Sequence, residues 1–177
     1  SLYFLALRLL LAAAILFILT VALRQPLRLS REDIYATVLI GLSLHGLYLG
    51  GVWYAIELGA PAGLSSVITS MQPILVSVLA VRLLAEPLTK KQIAGLFLGL
   101  SGVVLVVLPK LTGTSGFTAE SLALLFVALA GSTIATLLQK KIGRDIPLMI
   151  GTTYQFLLAG IVMLAISIAR GRTRFEL

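Results

Sequence analysis

Charged residues in this chain come in short clusters, and between the clusters lie long neutral runs at 9–23, 34–56, 58–81, 92–109, 121–139 and 146–169. A helix needs about 20 residues to cross roughly 30 Å of hydrocarbon, and most of these runs are long enough. The pattern predicts six transmembrane helices at approximately 2–23, 34–56, 62–84, 91–109, 121–139 and 147–169, joined by short polar links. Two of the links carry helix-start chemistry. Ser30 with Asp33, and Thr89 with Gln92, have capping-box spacing, in which the hydroxyl accepts an orphan amide hydrogen and the partner side chain reaches back.

Composition removes the alternatives to a membrane protein. Of 177 residues, 59% are hydrophobic and only 12% charged, against about 25% charged in soluble domains. There is no cysteine, so disulfide scaffolds, thiol catalysis and cysteine-bound metals are excluded. No metal site and no cofactor is expected. The net charge of +7 is spread over the connecting segments and span ends, with Arg8 the exception. No basic patch interleaved with aromatics marks a nucleic-acid partner; the lipid bilayer is the expected surroundings.

Helices joined by short links alternate in direction. One side then holds Arg24, Arg28, Arg31, Arg82, Lys90, Lys91, Lys140, Lys141 and Arg144, and the other Lys110, Arg170, Arg172 and Arg174. The excess of positive charge places the first set in the cytoplasm of a multi-pass protein of the inner (plasma) membrane. The cluster at Arg170, Arg172 and Arg174 opposes this assignment but is outnumbered.

An internal repeat adds to the picture. With Arg8 set against Gln155, residues 9–16 align with 156–163, and each stretch leads to a basic tail. The first and sixth spans are five apart, so the two copies are opposite in orientation. Inverted repeats are a recurring plan of secondary transporters. A five-helix repeat unit would make this chain part of a longer, ten-span protein, with one helix before Ser1 and three after Leu177.

Several segments together resemble a known family. These are Ala60-Pro61-Ala62-Gly63-Leu64-Ser65-Ser66, Gln72-Pro73-Ile74-Leu75 in mid-span, Glu86-Pro87-Leu88-Thr89 leading to Gly95, and the glycine-rich run from Gly99 to Val107. They are similar to the second half of an EamA domain of the drug/metabolite transporter superfamily. The first span is similar to the second helix of that family, and the last two spans to the opening helices of its second repeat. The resemblance implies an all-α transmembrane helix bundle whose six spans are helices two to seven of a 5+5 inverted-repeat transporter. It divides the chain into 1–110, the end of the first repeat, and 111–177, the start of the second. It also implies a permease or exporter of small organic solutes, such as amino acids or related metabolites, working by alternating access.

The polar residues inside the spans are the candidates for binding a solute. His45 is the only histidine and lies midway along the second span, where a titratable group is costly unless it faces protein or water. It either donates a hydrogen bond to a neighbouring helix or exchanges a proton during transport. Tyr48 follows at i+3 and would share its face; Trp53 and Tyr54 fit interface anchors. On the third span Ser65, Thr69 and Gln72 fall at i, i+4 and i+7, one stripe. Pro73 lacks an amide hydrogen and predicts a bend at the depth of Gln72. The structural alternative is that these small hydroxyl residues serve close helix packing. Ser132, Thr136 and Gln139 repeat the spacing on the fifth span.

Glu57 and Glu86 flank the third span and read as water-exposed or paired with Arg82 or Lys90. Arg8, roughly 24 Å of helix rise from Arg24, reads as snorkelling from the outer leaflet or as meeting an anionic solute. Gly95 and Gly99 form a GxxxG pair with Gly102 one turn on, a face suited to helix contact within the chain or in a homodimer. A rival reading from another class takes Gly99-Leu100-Ser101-Gly102 as the GxSG of a rhomboid-type intramembrane serine protease, with His45 as base. A non-transporting membrane subunit is a third reading.

Overall fold

A computed structural model describes residues 2–111, 118–143 and 145–171, all in helices or short connections. The helices are α1 (Leu2–Ala22), α2 (Arg31–Gly41), a π-helical segment (Leu42–Leu49), α3 (Gly50–Glu57), α4 (Ala62–Thr69), α5 (Gln72–Leu83), α6 (Lys90–Leu111), α7 (Ala119–Lys141) and α8 (Leu148–Ala169). α2, the π segment and α3 form one continuous span, and α4 with α5 form another. Six spans long and apolar enough to cross a membrane result: Leu2–Ala22, Arg31–Glu57, Ala62–Leu83, Lys90–Leu108, Ala119–Lys141 and Leu148–Ala169. Their ends lie within a few residues of those read from the hydrophobic runs. The expected all-α transmembrane bundle is therefore what forms. Of the charges counted above, the side chains of Lys110, Arg144, Arg172 and Arg174 lie outside the described residues.

The helix starts are built as their spacing predicts. Ser30 Oγ accepts from the Asp33 amide at 3.0 Å, and the Ser30 amide donates to the Asp33 carboxylate at 3.3 Å. At α6 the Gln92 amide donates to Thr89 Oγ1 at 3.3 Å and the Thr89 amide to Gln92 Oε1 at 2.8 Å. A reciprocal pair that was not anticipated opens α7, where the Ser121 amide donates to Thr118 Oγ1 and the Thr118 amide to Ser121 Oγ, both at 3.1 Å. Serine here does the work usually done by Glu or Gln in a capping box.

Packing divides the chain into two compact units, Ser1–Gly50 with Ile134–Leu177, and Gly51–Thr133. These units do not follow the division at residue 110, which is one of sequence resemblance rather than of contact. In the first unit α1 and α8 make the most extensive pairing, and α2 and the π segment lie against α8. Leu5, Ala6 and Leu9 of α1 pack with Ala159 and Met163 of α8. Lipid tails are as apolar as leucine, so burial gives little drive here and close backbone approach matters more. Gly160 supplies that approach: a Cβ there would lie 2.8 Å from Leu10 Cγ and 3.3 Å from the Ala6 carbonyl oxygen.

The contact also bears on the internal repeat. The offset that sets Arg8 on Gln155 sets Ala6 on Thr153 and Ala13 on Gly160. Ala6, Ala13, Thr153 and Gly160 are all buried.

In the second unit Ala55, Ala60, Ile68 and Leu125 form the buried cluster, with Val52, Val107, Leu122 and Leu124 around it. The third span does not merely bend at Pro73. It is interrupted at Ser70 and Met71, between α4 and α5, and Pro73 occupies the first turn of α5, where a missing amide hydrogen leaves no bond unmade. α6 has no buried residue in its spanning window. A Cβ on Gly99 would lie 3.5 Å from Ile74 Cδ1, whereas one on Gly95 or Gly102 would meet nothing within 4 Å.

Candidate functional site

His45 is placed by a change in helix type. From Leu42 to Leu49 the backbone is π-helical, and the Gly50 amide donates to the His45 carbonyl, five residues back. Such wide turns are rare and frequently lie at functional sites. Glycines bound the segment on both sides. At Gly41 an added Cβ would lie 3.1 Å from Gln155 Cα, so the second span approaches α8 backbone to backbone at the start of the π turn.

The wide turn also changes which residues share a face. In an α-helix Tyr48, at i+3, would stand over His45. A turn closed at i+5 turns residue i+3 further away and brings i+4 over instead. Accordingly Leu49, not Tyr48, lines a cavity together with His45, and Tyr48 is half-buried away from it.

His45 is 6% exposed, and both its ring nitrogens are covered and have no hydrogen-bond partner. The hydrogen bond to a neighbouring helix that the sequence allowed is thus not made. The imidazole instead stands edge-on to the Phe156 ring, with centroids 4.9 Å apart and planes at 70°. A neutral imidazole carries one donor and one acceptor, and leaving both unmade in a span is costly.

Two cavities share this ring pair. One, about 290 Å³, is lined by His45 and Phe156 with Gln139, Thr152, Gln155, Leu44, Gly151 and the turn Ile146-Pro147-Leu148. Its size is at the lower end for small-molecule sites, and it has a few polar groups on an apolar wall, as such sites do. Gln139 Nε2 donates to the Gly143 carbonyl at 3.2 Å. Gln155 is 8% exposed, and its side-chain amide makes no hydrogen bond among the described residues. The second cavity, about 200 Å³, is lined by His45 and Phe156 with Leu5, Arg8, Leu9, Ala12 and Leu49.

Arg8, read from the sequence as shallow, therefore borders the same cavity as the mid-span histidine. Thr152, Gln155 and Phe156 were not singled out as solute ligands. Their signal was available, since i, i+3 and i+4 on α8 share one face.

The other expected ligands belong to the second unit. Ser65 Oγ donates to the Pro61 carbonyl at 3.0 Å and Thr69 Oγ1 to the Ser65 carbonyl at 3.1 Å. Ser66, Ser70 and Ser77 likewise donate to carbonyls three or four residues back. These bonds satisfy the hydroxyls in hydrocarbon and favour local bending. Gln72 reaches across instead: its Nε2 donates to the Ser132 carbonyl of α7 at 3.3 Å. The break at Ser70–Met71 also borders a separate, wholly apolar cavity of about 190 Å³, lined in part by Ile68, Met71, Val104 and Phe126. Ser101, the nucleophile of the protease reading, is exposed and donates to the Phe97 carbonyl of its own helix at 2.8 Å. No group of residues that could hold a metal occurs among the described residues.

No curated protein and no solved structure matches the chain. Residues 1–108, well over half of it, match the EamA-like transporter family. The match spans α1 to the last turns of α6, and with it the π segment and the interrupted third span. The chain belongs to the EamA-like transporter family, in keeping with the drug/metabolite transporter superfamily.

Proposed function

We propose that the protein is a permease for small organic solutes, amino acids or related metabolites among them, and that the paired cavities at His45 receive the solute. The observation that carries this reading is the buried imidazole whose two nitrogens are unpartnered in the middle of a span. Expensive intramembrane polar groups are kept for function rather than for stability. A solute entering beside the His45–Phe156 pair would supply the missing donor and acceptor.

Alternating access in the inner (plasma) membrane is the proposed mechanism. Two spans depart from continuous α-helix, at the π segment and at Ser70–Met71, and discontinuous helices are where transporters place moving parts and sites. Relaxation of the π turn to an α turn would return Tyr48 to the face of His45. Gln72, at the head of α5, would hold the third span to α7 through the Ser132 carbonyl in one state and release it in the other. Ser65 and Thr69, whose hydroxyls already donate within α4, contribute by bending that helix.

The test is flux. The complete gene product, reconstituted in proteoliposomes and screened against pooled metabolites with and without a pH gradient, is expected to show saturable transport. His45→Leu and Gln72→Leu should abolish it while inserting normally. Undiminished flux in both variants would overturn the proposed site.

A further inference from the structure

We propose that the solute is an anion, and that its carboxylate is held by Arg8; this rests on the reading of the His45 cavities as a solute site. Arg8 is the seventh residue of the 21-residue α1, roughly 6 Å from the midpoint of the helix. It lines the smaller cavity together with His45, one residue past the middle of the second span. Arg8 is exposed on the described helices while its side chain borders the cavity; a guanidinium cannot lose its proton, so at that depth in hydrocarbon it needs a counter-charge.

Among the described residues nothing provides one. Arg8 makes no hydrogen bond or ion pair among the described residues. The other residues lining its cavity are Leu5, Leu9, Ala12, Leu49 and Phe156, all apolar, and His45, which has no negative form to offer. Of the seven acidic residues of the sequence, Glu32, Asp33, Glu57, Glu86, Glu120 and Asp145 lie at the end of a span or in a link, and Glu176 lies outside the described residues. An anion arriving in the cavity would complete the pair. A guanidinium presents a planar fork of donors, which matches a carboxylate with two parallel hydrogen bonds. The apolar wall beside it takes the remainder of a small molecule.

The same pairing sets specificity. A site built around an unpaired cation rejects neutral analogues, because binding them leaves the charge uncompensated in the cavity. A carboxylate is therefore recognised, and the corresponding amide, of nearly the same shape, is not.

The experiment measures thermal stabilisation of the purified complete protein by matched probes: benzoate against benzamide, and N-acetylphenylalanine and N-acetylleucine against their amides. Wild type, Arg8→Gln and Arg8→Lys are compared in nanodiscs of phosphatidylcholine and of phosphatidylglycerol. At least one carboxylate should stabilise the wild type, with its amide weaker by about tenfold or more in half-saturating concentration, the scale of a charge-assisted hydrogen-bond pair. Arg8→Gln should lose that discrimination and, with no unpaired charge left, be no less stable than wild type without ligand. Arg8→Lys should keep part of it. Equal response to carboxylate and amide, an unchanged response in Arg8→Gln, or no response to any probe would overturn the proposal. Stabilisation by phosphatidylglycerol alone, dependent on Arg8, would also overturn it by assigning the counter-charge to a lipid headgroup. Flux of neutral solutes that survives Arg8→Gln would refute the anion and leave the transporter. Carboxylate binding through Arg8 without flux would do the reverse.

Discussion

If His45 is kept for a solute, removing it should make the empty protein more stable. The perturbation is His45→Leu, which replaces the imidazole with an apolar side chain of similar reach. His45 is 6% exposed and both ring nitrogens are covered and unpartnered, so the neutral ring leaves one donor and one acceptor unmade. Each such group costs about 1–3 kcal/mol in a buried site. Against this, leucine loses the edge-on contact with Phe156, 4.9 Å between centroids, worth about 0.5–1.5 kcal/mol. The balance favours leucine by roughly 0.5–5.5 kcal/mol, and its sign holds across the range of both terms. Thermal unfolding of the detergent-solubilised protein, followed through Trp53, reads the difference directly. The same variant should bind no solute, so stability and function move in opposite directions. A His45→Leu protein less stable than wild type, with stability restored by His45→Gln, would show that the imidazole does have a hydrogen-bond partner and would refute the reasoning.

Three further outcomes follow from the packing. Gly160→Leu should destabilise by about 1–3 kcal/mol, because a Cβ there already meets Leu10 Cγ at 2.8 Å and the Ala6 carbonyl at 3.3 Å; Gly95→Leu, with nothing within 4 Å, should stay within about 0.5 kcal/mol in the same unfolding assay. Should Gly95→Leu instead shift the protein to a smaller oligomer in size-exclusion chromatography, that glycine face is covered by a second copy. Gln72→Leu should lose flux and about 0.5–1.5 kcal/mol for its bond to the Ser132 carbonyl. Ser101→Ala should be silent in flux, stability and cleavage of a membrane-spanning reporter, since its hydroxyl serves only the Phe97 carbonyl; Ser101-dependent cleavage would revive hydrolysis as the activity.

What could be read from the sequence was what local physics decides. Span number and length follow from hydrocarbon thickness, and the starts of α2 and α6 follow from hydroxyl and carboxyl or amide groups three residues apart. The family resemblance lay in local segments too, from Ala60 to Val107. His45, Gln72 and Arg8 stood out because polar groups in hydrocarbon are expensive whatever surrounds them.

Tertiary structure decided what those groups do. The π turn at Leu42–Leu49 has no marked local signature beyond its glycines; it lies where Gly41 comes against Gln155 and Gly50 against Met163, residues more than 100 positions away in the chain. Periodicity assumed an α turn and put Tyr48 above His45, where the wide turn puts Leu49. Counting rise along α1 gave Arg8 a depth but not its cavity, because only the packing of α1, the π segment and α8 sets the guanidinium beside a histidine and a phenylalanine. Hydrophobicity and capping act over one turn of chain, whereas a cavity is made by whichever helices happen to face each other. That choice belongs to the fold as a whole.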